Sequence, residues 1–154
     1  MSQVQQIRSR SATEADYGFL WAVHQATMKE HIERTSGWDD REQETWFRGR
    51  FDSAEMQVVL YNEERVGSIS VDREPERITL TGIEIAPQYQ RRGIGTWLVK
   101  RLLAEADAAR IPVELRVLKG NPAKRLYERL GFVQVGEIEM LDAMRRNPVQ
   151  GEPG

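Results

Sequence analysis

The chain of 154 residues contains no cysteine. Disulfide bonds, thiolate metal ligands and a cysteine nucleophile are therefore excluded together, and the composition is compatible with a reducing cytoplasm. Only two histidines occur, His24 and His31, and their spacing on a predicted helix separates them by ~10 Å along its axis. One metal ion cannot bridge that span and no HExxH pattern is present, so we interpret both as helix-surface or cleft residues and expect no metal site.

The sequence also lacks a basic excess and a long apolar run. Its formal net charge is −2 and its pI is about 5.8, whereas nucleic-acid binders usually carry surplus positive charge. No apolar run approaches the ~18 residues of a transmembrane helix. The opening MSQVQQIRSR has no apolar signal-peptide core, and Ser2 excludes N-myristoylation. We therefore expect a cytoplasmic protein with no nucleic-acid or membrane partner.

The periodicity of apolar residues predicts the element order β-α-α-β-β-β-α-β-α-β-β. The central strand–helix–strand segment implies a right-handed crossover between parallel strands. Hairpins predicted around 62–64 and near Gly136 imply antiparallel edges. We expect an α/β fold: one seven-stranded mixed sheet with helices on both faces, built by a single domain of residues 1–146 and followed by a flexible polar tail at 147–154.

Local signals place the ends and buried faces of the helices. Thr13 with Asp16 resembles a capping box before the first helix, and Asp39 and Asp40 are cap candidates for the second. Asn121 is the predicted N-cap of the last helix, ahead of Pro122 and a closing Gly131. The helix over 95–110 has one predicted apolar face, formed by Trp97, Leu98, Leu102, Leu103 and Ala106.

A glycine-rich turn, QRRGIG at 90–95, separates a predicted strand from a predicted helix. It is neither a Walker loop, which ends in Gly-Lys-Ser/Thr, nor a dinucleotide fingerprint, because Leu98 stands where the third glycine is required. Free backbone amides at a helix start still suit a phosphate, and Arg91 and Arg92 add positive charge. From these residues alone, a phosphate site and a plain strand-to-helix turn both remain open.

Two motifs resemble the GNAT N-acetyltransferase superfamily. QRRGIG matches its Q/R-x-x-G-x-G/A signature and lies between the fourth strand and the third helix, as in that family. LRVLKGNPAKRLYERLGF, about thirty residues later, is similar to the family's strand followed by N-P-A-x-x-L-Y-E-x-L-G-F. The order of elements agrees over roughly residues 4 to 146. The resemblance implies the GNAT fold, with its two central parallel strands splayed apart, and acetyl-CoA as co-substrate.

The resemblance also implies which residues contact acetyl-CoA. In the family the pyrophosphate lies on backbone amides of the signature turn, and the pantetheine arm pairs with the fourth strand, where one N–H polarises the thioester carbonyl. An asparagine at the last helix adds a contact to the CoA arm, beside its capping role. Carried over, the predicted CoA-binding residues are Ile83, Ile85, Gln90, Arg91, Arg92, Gly93, Ile94, Gly95, Thr96 and Asn121.

Catalytic roles follow from the same resemblance. Tyr127 occupies the position of the family's tyrosine, whose phenol serves as general acid for the leaving thiolate. Some members carry a glutamate early in the fourth strand, where this chain has Thr79. Glu84, later on that strand, is our candidate base, although a sheet-face carboxylate or ion-pair partner explains it equally well. His24 and His31 are weaker alternatives.

The acceptor usually lies, in this family, between the first two helices and the sheet. There Trp38 can form an apolar or cation–π wall, and nearby acids can attract a cationic amine. We name His31, Trp38 and Asp39 as acceptor candidates, although acids in a first helical turn also suit the helix dipole. A polyamine, an aminoglycoside, an amino acid and a protein N-terminus all remain open, as do a longer acyl-CoA and a homodimer. The alternative function is a non-catalytic acyl-CoA-binding regulatory module.

Overall fold

A computed structural model of the protein describes residues 6–53 and 56–149. The strands are β1 (Ile7–Ser11), β2 (Met56–Tyr61), β3 (Glu64–Arg73), β4 (Ile78–Ile85), β5 (Val113–Leu118), β6 (Val133–Ile138) and β7 (Leu141–Arg146). The α-helices are α1 (Tyr17–Thr35), α2 (Asp40–Ser53), α3 (Ile94–Ala109) and α4 (Ala123–Arg129), with short 3-10 turns at Glu14–Asp16 and Pro87–Tyr89. One mixed sheet has the strand order β1-β2-β3-β4-β5-β7-β6. The predicted element order and the seven-stranded mixed sheet are confirmed.

The chain divides into two compact units. The first comprises the described residues up to Ser70 together with Gly82–Gly95, and the second comprises Val71–Thr81 with the described residues from Thr96 onward. Of the predicted tail at 147–154, residues 150–154 lie outside the described part, and the backbone N–H of Val149 donates to Asp107 Oδ1 at 2.9 Å.

In the first unit, α1 and α2 cover one face of β2. Alternate residues of a strand point to the same face, so Met56, Val58 and Leu60 form one apolar row. Leu20 from α1 and Phe47 from α2 complete this buried cluster. The neighbouring antiparallel hairpin β2–β3 turns at 62–63, where Asn62 and Glu63 have φ of 51° and 69°. This is the predicted hairpin, and left-handed residues at both central positions match the twist of the strands.

Both helix starts of the first unit use aspartate. The buried carboxylate of Asp16 accepts hydrogen bonds from Arg10 and from the Thr13 backbone N–H, each at 2.8 Å, and from Arg65 at 3.2 Å. The Arg10 contact, helped by the other two, holds the pKa of Asp16 well below its usual range. Asp39 Oδ1 accepts from the Glu42 backbone N–H at 2.8 Å, which makes Asp39 the cap of α2.

In the second unit, β4 and β5 pair in parallel from Ile78–Val113 to Leu80–Leu115, so the pairing covers only the first residues of β4. Antiparallel β7 follows β5 along its whole length. The alternating residues Val113, Leu115 and Val117 of β5 are buried. On α3, Leu98, Leu102, Leu103 and Ala106 are buried, but Trp97 is half-exposed beneath the Arg101 guanidinium and Val99 is buried instead. The predicted apolar face is therefore confirmed except at Trp97, and it includes Val99 instead.

The last hairpin does not turn at Gly136, so that prediction was wrong. β6 and β7 pair through Ile138–Leu141, and the connection is formed by Glu139, with a φ of 52°, and Met140. Gly136 lies inside β6, at a shift in the pairing register. A glycine inside a strand commonly marks such an irregularity, because it has no side chain to place on either face.

None of the helices in residues 6–53 and 56–149 combines the length with the apolar character that crossing a membrane requires.

Candidate active site

The end of β4 lies unusually close to β3. A Cβ atom at Gly67 would stand 2.0 Å from the carbonyl oxygen of Glu84, so only glycine allows this approach. Next to it, the pairing of β3 with β2 shifts register, and the Ala86 N–H donates to the Val66 carbonyl at 2.8 Å. Such a bulge re-aims the strand beside it.

This contact orients the backbone of β4. Successive residues of a strand direct their amide and carbonyl groups to opposite edges. The Glu84 carbonyl and the Ala86 N–H face β3, so the corresponding groups of Ile83 and Ile85 face away from β3. Both isoleucine side chains are half-buried rather than fully in the core. The predicted pantetheine partners thus direct their backbone groups away from the β3 edge.

The Glu84 side chain is hydrogen-bonded to α1. His24 Nδ1 lies 2.8 Å from Glu84 Oε2. The histidine side chain is 3% exposed and that of the glutamate 15%, so the carboxylate is the more accessible member. His24 is therefore a core residue, and its interpretation as a helix-surface or cleft residue was wrong. The second ring nitrogen of His24, Nε2, is buried without a hydrogen-bond partner in the described part of the chain.

Aromatic rings enclose the imidazole of His24. The ring centroids of Phe47, Trp46 and Trp38 lie 5.1 Å, 5.6 Å and 6.0 Å from it, and that of Trp21 lies 5.8 Å away. Phe47 is buried, whereas Trp46 is 50% exposed. The rings come from α1, from α2 and from the segment between them. They form an aromatic box that excludes water from the imidazole. Trp46 is the member of this box that reaches the protein surface.

Arg50 approaches the same face of β4 from α2. A Cβ atom at Gly82 would stand 2.7 Å from its Nη2, so the guanidinium occupies the space of the missing side chain. Residues 82 and 84 share one face of the strand, which places Arg50 beside Glu84. The guanidinium also lies 5.3 Å from the Trp46 ring. Burial lowers the pKa of Arg50, and the charge of Glu84 opposes that shift.

The glycine-rich turn is held by its glutamine. Gln90 Nε2 donates to the Ile85 carbonyl at 2.9 Å, which ties the turn to the end of β4. Arg91 and Gly93 have φ of 65° and 80°, while Ile94 is buried and begins α3. A Cβ atom at Gly93 or at Gly95 would have no atom of the described chain within 4 Å. The turn therefore has an open outer side at the positive end of a long helix.

The remaining predicted donor-site residues belong to the second unit. Thr96 is half-buried in the first turn of α3. Asn121 Oδ1 accepts from the Ala123 N–H at 2.9 Å, and Pro122 already has helical dihedral angles (φ −57°, ψ −23°), so we place the cap of α4 at Asn121, one residue before Pro122. Tyr127 on α4 is 7% exposed and packs edge-on against Phe132, and burial raises its pKa to about 12. Its phenol consequently keeps its proton at neutral pH.

The acceptor candidates have structural contacts of their own. Trp38 stacks on Trp21 at 6.2 Å and donates from Nε1 to Asp40 Oδ1 at 2.6 Å. Asp39 is the cap of α2. His31 Nε2 is buried without a partner in the described residues. Trp38 thus joins the aromatic box, whereas both aspartates already accept hydrogen bonds from their own segment, the role expected of acids in a first helical turn.

Three features of this region went unrecognised in the sequence: the burial of His24, the placement of Arg50 and the need for Gly67. Each depends on contact between segments far apart in the chain. One local signal existed, since glycine at position 82 inside a strand suggests close approach of another group.

Comparison with known proteins agrees with this architecture. Residues 20–132 match the Acetyltransferase (GNAT) family. A GCN5-like protein acetyltransferase of Mycobacterium tuberculosis is 41% identical over 58 residues, which are 36% of this chain and only 28% of that relative. The PaiA N-acetyltransferase of Thermoplasma acidophilum, solved with coenzyme A, superposes with a TM-score of 0.73 at 16% identity, covering 92% of this chain and 99% of that one.

A second solved structure, the ribosomal-protein-S18-alanine N-acetyltransferase of Escherichia coli, has a TM-score of 0.66 at 19% identity and covers 96% of this chain and 97% of that one. At such identities the structures show a shared fold, and the family match extends over most of the chain. The chain therefore belongs to the GNAT acetyltransferase family.

Proposed function

We propose that this protein transfers the acetyl group of acetyl-CoA to a primary amine by direct attack within a ternary complex. One observation carries the proposal: the turn at 90–95 presents an open outer side at the start of α3. Backbone N–H groups there have no intrahelical partners, and the helix dipole favours an anion. The exposed Arg91 and Arg92 add positive charge for a pyrophosphate. Membership of the GNAT family and the coenzyme A complex of the PaiA relative support the same donor.

The thioester would lie along the free edge of β4. Backbone groups of Ile83 and Ile85 face away from β3 and are available to an added strand-like ligand. A backbone N–H in that position would donate to the thioester carbonyl oxygen and stabilise the negative charge that develops there during attack. The Gln90 amide already uses one lone pair of the Ile85 carbonyl, so the turn and this edge are held together.

In the first unit, Glu84 is the proposed base. An alkyl amine is mostly protonated at neutral pH and must lose a proton before its lone pair can attack the thioester carbon. The Glu84 carboxylate would take that proton, directly or through water. Attack forms the C–N bond, the C–S bond then breaks, and the products are an N-acetyl amine and the thiol of CoA. A second proton leaves the nitrogen as the amide forms.

In the second unit, Tyr127 is the proposed donor to the departing thiolate. Its raised pKa keeps the phenol protonated throughout the neutral range. A thiol has a pKa of about 8.5, so complete transfer of a proton to the thiolate from a phenol of much higher pKa is unfavourable. Tyr127 would therefore act mainly as a hydrogen-bond donor while charge develops on sulfur, and water would complete the protonation.

The test compares two glycines at equivalent helix positions. Gly95 and Gly18 are each the second residue of a long helix, and each has open space around its Cβ position in the described structure. We expect Gly95→Val to raise the Kd for CoA at least about 10-fold, about 1.4 kcal/mol, because the side chain occupies the outer side of the turn. Gly18→Val carries the same helix-propensity change and should leave the Kd unchanged.

Gly93 is a poorer choice, because its φ of 80° makes any replacement strained. Calorimetry with CoA gives the affinities, and circular dichroism confirms that both variants fold. Transfer is measured with acetyl-CoA and a panel of primary amines. Equal CoA affinity for Gly95→Val and the parent would exclude this turn as the donor site. Tight CoA binding without transfer to any amine would favour the non-catalytic acyl-CoA module.

A further inference from the structure

We propose that His24 is a positioning residue for Glu84: its Nδ1–H fixes the carboxylate in the orientation that receives the proton of the acceptor amine. The inference rests on the proposed function and adds to it a residue from α1. It starts from the 2.8 Å contact between His24 Nδ1 and Glu84 Oε2.

The hydrogen-bond pattern assigns the tautomer. An ionised carboxylate can only accept hydrogen bonds, so Nδ1 must carry the hydrogen. Nε2 is buried and has no partner among the described residues. With the hydrogen on Nε2 instead, a buried N–H donor would have no partner and the bare Nδ1 would face the Glu84 carboxylate, an acceptor opposite an acceptor. The neutral ring with hydrogen on Nδ1 satisfies both observations.

The exposure of the two side chains assigns their roles. In a carboxylate–histidine pair, either member can face the substrate, and in hydrolase triads it is the histidine. Here the His24 side chain is 3% exposed, its free nitrogen is fully buried, and aromatic rings enclose it. Glu84 is 15% exposed. An amine can therefore reach Glu84 and cannot reach His24, so the histidine acts through the carboxylate.

The aromatic surroundings argue against a role for the imidazole in packing alone. Burying a polar ring among aromatic side chains costs free energy unless its nitrogens are hydrogen-bonded. A leucine or phenylalanine would fill the box between Trp46 and Phe47 without that cost. The benefit that the imidazole provides and an apolar residue does not is the hydrogen bond to Glu84. Arg50, whose guanidinium occupies the space beside Gly82, interacts with Glu84 through its charge.

The first experiment compares two substitutions of His24. Asparagine can place an amide donor where Nδ1 stands, whereas leucine fills the space and donates nothing. For His24→Leu we expect kcat to fall by about 10- to 100-fold with little change in the KM for acetyl-CoA, because the carboxylate loses its fixed orientation. His24→Asn should recover kcat to within a few-fold of the parent. Equal kcat for His24→Leu and the parent, or equal losses in both variants, would overturn the proposal.

The second experiment determines which nitrogen of the His24 ring carries the hydrogen, and it does not depend on enzymatic activity. The chain has two histidines, so nitrogen-15 spectra of the imidazoles contain two spin systems, and His31→Asn assigns them. Near neutral pH the His24 signals should show a protonated Nδ1 and a bare Nε2, and Glu84→Leu should abolish that preference. Hydrogen on Nε2 in the parent protein would overturn the proposal even if His24→Leu failed to fold.

The two proposals fail in distinguishable ways. If the parent protein binds CoA and acetylates none of the amines, the proposed function is wrong, while the spectra still decide whether His24 holds Glu84. If Glu84→Gln keeps full activity, Glu84 is not the base. The imidazole spectra remain an independent test of the hydrogen bond between His24 and Glu84. Loss of activity in Glu84→Gln together with full activity in His24→Leu overturns the positioning role alone.

Discussion

His24 and Glu84 form a hydrogen-bonded pair, with Nδ1 2.8 Å from Oε2, although 60 positions separate them in the chain. The contact joins α1 to the end of β4, and it lies among the aromatic rings of the first unit.

Glu84→Gln is expected to lower kcat/KM at neutral pH by about 10²- to 10⁴-fold, because the base is lost. The amide oxygen of glutamine can still accept from His24, so the hydrogen bond to α1 survives. The deficit should shrink at alkaline pH, where a larger fraction of the amine is already free. Steady-state rates from pH 6 to 10 check this, with CoA affinity as the control, and a pH–rate profile identical to that of the parent would contradict it.

Gly67→Ala is expected to destabilise the protein by at least about 2 kcal/mol, because the new Cβ would overlap the Glu84 carbonyl oxygen 2.0 Å away. Backbone must move to relieve the overlap, and Glu84 moves with it. Gly136→Ala is the matched control, since it is also a strand glycine but has open space. Urea unfolding should show a change within about 0.5 kcal/mol for the control. Equal stability of the two variants would contradict the close approach.

Tyr127→Phe is expected to lower kcat by about 10-fold, or about 1.4 kcal/mol of transition-state stabilisation, when chemistry limits the rate. The loss is modest because a phenol of pKa about 12 donates a hydrogen bond more readily than it transfers a proton. The ring keeps its edge-on contact with Phe132, so stability at neutral pH should change little. Single-turnover kinetics measure the effect. Full kcat in the variant would mean that the thiolate leaves without help from Tyr127.

The same tyrosine predicts a loss of stability in alkali. Its folded pKa of about 12 lies above the unfolded value of 10.0, so the folded state retains the proton longer. Its contribution is fully present below pH 10 and is lost as pH rises toward 12, by at most about 3 kcal/mol. The free energy of unfolding of Tyr127→Phe should therefore decline less over this window. Parallel declines for the variant and the parent would show that other groups govern alkaline unfolding.

Trp38→Ala is expected to raise the acceptor KM and to leave CoA affinity unchanged. Trp38 belongs to the aromatic box beside Glu84 and carries the Lys29 ammonium 5.9 Å from its ring, so its face can hold a cation. Trp97→Ala, which removes a half-buried tryptophan of the second unit, is the control for general destabilisation. A fall in CoA affinity specific to Trp38→Ala would assign this tryptophan to structure or to the donor site instead.

The sequence by itself determined the order of the elements, the parallel crossover and the caps at Asp39 and Asn121. Those features depend on local periods and on hydrogen bonds within a few residues, so each segment carries its own signal. The glycine-rich turn was equally visible, because the left-handed conformation at Gly93 is a local requirement. Local signals failed at Gly136. This glycine suggested a turn, but it lies within a strand at a shift in the pairing register.

Only the tertiary structure decided the surroundings of Glu84. Sequence periodicity places its carboxylate on one face of a strand but says nothing about which helices meet that face. Contact of α1 and α2 with the strands brings His24 and Arg50 to it, and Gly67 allows β3 to approach the Glu84 backbone closely. These are long-range packing contacts, and they arise because apolar rows on separate segments are buried together, which no local pattern records.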